Sequence, residues 1–152
     1  RAFQALFLYK KLYKRGKSAM ANEAKRGLDL MIYVGETPIG GQRGASIEMS
    51  SETLDVSTKT TGDWTAKING AKSWTSSCEG IVFTGDAGYK AAVDAFIAGQ
   101  SVNIELRDAE KTIGYTGKAI ITTLSIDAPY DDALTYSMDF EGVGAITEVT
   151  PG

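Results

Sequence analysis

Histidine does not occur in this sequence, and cysteine occurs once, at Cys78. The first absence removes the commonest general base and the commonest metal ligand. A serine nucleophile therefore has no imidazole to activate it, and neither does Cys78. One cysteine makes no intrachain disulfide and no cysteine-based zinc site. It fits a reducing compartment and reads as a small half-buried residue on a strand. Only carboxylate, lysine, tyrosine and serine chemistry remains. No apolar run approaches the roughly 18 residues that span a bilayer, so no transmembrane helix is expected. Proline is scarce, at 3 residues against 17 glycines, so glycine does most of the punctuation.

The length, 152 residues, suits one domain with a modest core. The net charge of −3 hides an asymmetry. Residues 1–19 carry Arg1, Lys10, Lys11, Lys14, Arg15 and Lys17 and no acid. The body from Met20 onward keeps 10 bases against 19 acids, a formal charge of −9. Such a body repels a phosphate backbone. The leading stretch, "RAFQALFLYKKLYKRGKSA", differs from all that follows, with Phe3, Leu6, Phe7 and Leu12 on a helix-like apolar stripe. It reads as a fusion leader, a native arm that docks on a neighbouring subunit, or a short membrane-surface helix. The domain proper is expected over 20–152.

The body alternates. Leu28, Leu30, Ile32 and Val34 share one face, as do Val102, Ile104 and Leu106, and later Leu134, Tyr136, Met138 and Phe140. In "WTAKINGAKSWTSSCEGIVF" the Asn69-Gly70 pair reads as a hairpin turn between two strands. One helix stands out at about 86–98. Asp86 is its N-cap, Ala92, Val93, Phe96 and Ile97 follow at helical spacing, and Gly99 stops it. Many short strands with one helix predict a mainly β fold, a sandwich or barrel with one flanking α-helix.

No active site emerges. "GETPIGGQRG" lacks the Lys-Ser/Thr and the following helix of a phosphate loop, so it reads as a turn exposing Arg43. Asp127, Asp131 and Asp132 in "DAPYDD" do not have calcium-loop spacing and read as a solvated turn. Glu105, Asp108 and Glu110 lie near a strand end without a pocket signal. No catalytic, metal or cofactor residue is assigned. Trp64 and Trp74 leave an alternative, a non-catalytic β-sandwich carbohydrate-binding module that stacks sugars on both rings.

The ordered series "LDLMIYVGE", "GGQRGASIEMSSETLDVSTKTTGDWTAKINGAKSWTSSCEGIVF", "FIAGQSVNIEL" and "ALTYSMDFEGVGAITEV" resembles the major tail protein of long-tailed bacteriophages, the tail tube subunit. The likeness covers about Ala21 to Pro151 and is carried most by "SSETLDVSTKTTGDW", "INGAKSW" and "TYSMDFEGVG". It implies a self-assembling structural protein of the virion tail, made in the bacterial host's cytoplasm. Six subunits would join sheets into a ring, and rings would stack into a hollow tube that passes DNA without specific binding. Tape measure, tail terminator and baseplate hub proteins would be its further partners, with no cofactor, membrane or enzymatic activity. The loop that bridges rings would run from about Ser51 to Lys72 and include Asp55, Lys59, Asp63, Trp64 and Lys67. Arg43 would form a salt bridge to an acidic neighbour.

Overall fold

The computed structural model describes residues 24–149. The basic extension expected at 1–19 lies outside the described residues. A single 3-10 turn, Gly27–Asp29, leads into β1 (Leu30–Val34) and the short β2 (Thr37–Pro38). Next come β3 (Gln42–Asp55), β4 (Lys67–Ile81) and α1 (Ala87–Ala98), followed by β5 (Val102–Asp108), β6 (Gly114–Asp127) and β7 (Thr135–Glu148). All seven strands form one antiparallel sheet in the order β2-β1-β5-β6-β7-β4-β3.

That sheet turns a corner and makes two layers. β5 pairs with β6 only as far as Ala119, while β7 pairs with β6 from one end to the other. Near Ala119 the register slips, leaving Val143, Gly144 and Ala145 of β7 outside the ladder. Such a bulge lets strands pass from one layer to the next. One layer is the long sheet β3-β4-β7-β6; the other is β2-β1-β5 with the near end of β6. Ile32, Ile104, Phe140, Met138 and Cys78, contributed by both layers, are buried together between them.

A glutamine joins the two edges. Gln42, at the start of β3, donates through Nε2 to the carbonyls of Ile32 (2.8 Å) and Ile39 (2.7 Å). Its Oε1 accepts from the Ile32 N–H at 2.9 Å. The side-chain amide thus does what another strand's peptide would do, satisfying backbone groups that would otherwise be orphaned. The expected sandwich or barrel is present, closed by a side chain. Gly41, φ +69°, sets up this joint; a Cβ there would collide with the Ile81 carbonyl and the Phe83 ring. The glycines of "GETPIGGQRG" are therefore a packed corner.

The helix is where its spacing placed it, but it buries a different face. Asp86 caps Gly88 N–H at 3.3 Å, and its other oxygen accepts from Gly40 N–H at 2.7 Å. Gly99 is left-handed and closes the C-terminus, as expected. Gly88, Ala92 and Ala95 face inward, while Phe96 and Ile97 are exposed. A Cβ at Gly88 would strike the Pro38 carbonyl, so the helix lies too close to the sheet for large side chains.

Asn69-Gly70 is not a turn. Both residues lie inside β4, where Asn69 pairs with Thr53 and Ile68 with Leu54. The register slips between Ser51 and Thr53, which brings Glu52 against Gly70; a Cβ there would meet Glu52 Cβ at 3.3 Å. The glycine accommodates a bulge, and strand pairing overrides the turn propensity of the dipeptide. The true reversal comes earlier in the chain, in residues 56–66.

Candidate assembly surfaces

The β3–β4 hairpin rises well beyond the core. It is held by cross-strand pairs down to Asp55 and Lys67, past the last buried residue of β4, Trp74. Its tip is fixed by its own polar side chains. Val56 N–H donates to the Ala66 carbonyl (2.9 Å), Ala66 N–H to Ser57 Oγ (2.9 Å), and Thr61 N–H to the Thr58 carbonyl (3.0 Å). Hydrogen bonds from the hydroxyl and backbone N–H of Ser57 hold the Asp55 carboxyl below its ordinary range. The bridging loop expected over Ser51 to Lys72 is therefore two paired strands and a compact tip.

Seven of the residues singled out in the sequence gather on this hairpin. Ser51 faces Lys72 and Asp55 faces Lys67 across the ladder, and Lys59, Asp63 and Trp64 sit on the tip. Among the described residues none of the three lysines makes an ion pair. Arg43 stands at the other end of β3, beside Glu79, Asp127 and Ser137. Trp64 is 86% exposed, and Leu54, Val56 and Ile68 are exposed near it.

Trp74 is a different kind of residue. It is 4% exposed, and its ring packs closely against Gly117 of β6 and Gly142 of β7. Its Nε1 donates to the Gly144 carbonyl at 3.1 Å. Trp74 is therefore a core anchor and is not available to the two-ring sugar platform of the carbohydrate-binding alternative.

The outer face of the long sheet is polar and acidic. Ser46 and Ser77 share a hydrogen bond of 2.7 Å, and Ser50 and Ser73 one of 2.9 Å. Glu48, Glu79, Asp139 and Glu141 stand among them, each exposed. Among the described residues both margins of this face are open. β3 has no strand beyond it, and from Ile120 to Asp127 β6 pairs with β7 alone. Unpaired strand edges are templates for another chain. Nothing in local sequence marks them, because the free half of β6 depends on where β5 ends.

The remaining chemistry is structural. Glu105 accepts from Arg107 Nε at 2.6 Å, and the guanidinium lies 3.8 Å over the Tyr33 ring. Asp108 is buried and accepts from the Thr112 hydroxyl and from the N–H groups of Thr112 (2.8 Å) and Ile113 (3.3 Å), with Lys25 Nζ at 3.3 Å. These bonds, the Thr112 hydroxyl first, hold its carboxyl down to about 2, so it ties a turn and is a poor proton carrier. Cys78 lies 3.7 Å from the Tyr136 hydroxyl, and burial pushes its thiol up to about 11. Among the described residues no three carboxylate or thiol groups are placed to hold a metal ion, and no helix is long and apolar enough to cross a membrane.

Solved structures share this architecture. The chain is similar to a chain in the virion of a native gene transfer agent particle, with 22% identity and a TM-score of 0.74 over 84% of this chain and 100% of that one. A chain in the tail of an empty gene transfer agent particle, refined helically with C6 symmetry, gives 23% identity and a TM-score of 0.73 over 84% and 100%. The SPP1 tail tube gives 16% identity and 0.68 over 85% and 80%. No curated protein sequence matches the chain. The family model described as phage tail tube protein matches residues 28–148, the whole span of sheet and helix, and the chain belongs to that family.

Proposed function

We propose that this chain is a non-catalytic structural subunit of the virion tail, six copies of which close into a ring, with rings stacked into a hollow tube. The observation that carries the reading is a pair of open, antiparallel strand edges on either side of one acidic face. In the order β6-β7-β4-β3 the strands alternate in direction. The β3 edge of one copy laid beside the β6 edge of the next therefore continues the antiparallel pattern without a break. The six-fold count follows the C6 symmetry of the gene transfer agent tail.

Repeated round the ring, the acidic face becomes the lumen wall. Glu48, Glu79, Asp139 and Glu141, set among serines and threonines, repel phosphate evenly, so DNA slides past without binding. The tube domain is 20–152, with 1–19 an extension of it. Arg43, Ser51, Asp55, Lys59, Asp63, Trp64, Lys67 and Lys72 are contacts between subunits, and tape measure, terminator and baseplate hub proteins meet the tube inside and at its ends. The test is negative-stain microscopy and sedimentation of the purified full chain over a concentration series. Six-fold rings and tubes are expected; monomers alone at every concentration would overturn the proposal.

A further inference from the structure

The hairpin tip has a counterpart at the far end of the same sheet. There, the turn between β6 and β7 and the connection after β4 meet, joined by Val82 N–H donating to the Leu134 carbonyl at 2.9 Å. Tyr130 is fully exposed on this rim, and Phe83, Ile126 and Leu134 are exposed around it. Four large apolar side chains at one rim need covering. Residues 127–134 also carry Asp127, Asp131 and Asp132 and no base, with Arg43 of β3 beside Asp127. The hairpin end is its complement, with exposed Leu54, Val56, Trp64 and Ile68, and with Lys59, Lys67 and Lys72 against Asp55 and Asp63 over residues 54–72.

We infer that this rim is the receptor for the hairpin tip of a second copy of the chain in the next ring. Trp64 packs on Tyr130 and Phe83, and the hairpin lysines face Asp127, Asp131 and Asp132. This rests on the tube reading above. The contact joins two different patches, so it is head-to-tail and extends without closing, as a stack of rings requires. It also gives the turn a role beyond solvation: its acids set polarity, because rim-to-rim stacking would oppose like charges. An exposed aromatic flanked by charge complementarity is the pattern of an interface anchor.

The two patches cannot touch within one molecule. They sit at opposite ends of strands of 14 residues, which at about 3.3 Å per residue puts them roughly 45 Å apart. Zero-length carbodiimide coupling of lysine to carboxylate, read by mass spectrometry on tubes of the native full chain, therefore reports only contacts between copies. Links from Lys59, Lys67 or Lys72 to Asp127, Asp131 or Asp132 are expected in tubes and not in monomers. Tyr130→Ala, which removes a fully exposed ring, is expected to raise the concentration needed for tubes at least tenfold while leaving rings and folding intact. Tubes that form with none of these links, or that form equally well with Tyr130→Ala, would overturn the receptor while the tube reading stood. A native chain that makes no tubes would overturn both.

Discussion

Replacing Gly142 by alanine tests the packing on which the long sheet depends. The added methyl would overlap Cε2, Nε1 and Cδ2 of Trp74. The ring has little room to slide, because it also lies close against Gly117, where a Cβ would be 2.6 Å from Cζ2. Either β7 shifts or the indole leaves its slot. Overpacking of the first kind costs about 1–3 kcal/mol. Expelling the indole exposes on the order of 200 Å², worth about 5 kcal/mol at ~25 cal/mol per Å². We expect about 3 kcal/mol, since a strand shift relieves part of the overlap. The assay is urea unfolding under monomeric conditions, in a Trp64→Phe background so that fluorescence reports Trp74 alone. Gly27→Ala is the control, with nothing within 4 Å of the added Cβ, and should change stability by less than about 0.5 kcal/mol. A Gly142→Ala midpoint indistinguishable from the parent would refute the slot.

Gln42→Leu should cost about 3 kcal/mol in the same assay, because it strands the Ile32 N–H and weakens two carbonyl partners; a neutral result would mean that the sheet edges do not need the amide. Asp108→Asn should cost about 2 kcal/mol at neutral pH, the worth of a carboxyl held down to about 2 from its ordinary value of 3.8. The folded pKa is the lower one, so this stability is present above about pH 4 and lost as pH falls towards 2. The gap between Asp108→Asn and parent should close over that window, and a gap that persists at pH 2 would contradict the assignment. Cys78 should resist iodoacetamide at pH 8 until denaturant is added; labelling of the native chain at the rate of a small free thiol would show that it is not buried as described.

The elements were legible where local pattern and packing agree. Tyr136, Met138 and Phe140 alternate inward as their spacing requires, and Asp86 and Gly99 bound the helix because capping is a matter of a few neighbouring residues. Legibility failed where distant chain decides. Asn69-Gly70 has turn chemistry, yet a bulge at Glu52 and the pairing of Leu54 with Ile68 carry β4 through it. Phe96 and Ile97 look like core, but Pro38 and Ile39, nearly fifty residues earlier, bring the sheet so close that only Gly88, Ala92 and Ala95 fit. Gln42 gave no signal, since an amide that stands in for a strand looks like any polar residue. The hairpin was found as a segment; the open edge of β6 was not, being a property of where β5 stops.

Those edges raise the question of why one pairing wins over the others. Two β3 edges paired antiparallel over their full length would set Gln42 opposite Asp55 and bring the Glu48 of one copy close to the Glu48 of its partner near the centre of the ladder. Like charges opposed across a ladder are destabilising. The free half of β6, Ile120–Asp127, carries no charge before Asp127, so β3 meets no such repulsion there. Two β6 edges could pair without that penalty, but a two-fold contact of that kind joins two copies and stops, leaving both β3 edges bare. Only β3 on β6 leaves every copy with the same one edge used on each side, which is the condition for a ring. Glu48 therefore serves twice in this reading: it faces the lumen, and it disfavours the pairing of a β3 edge with another β3 edge.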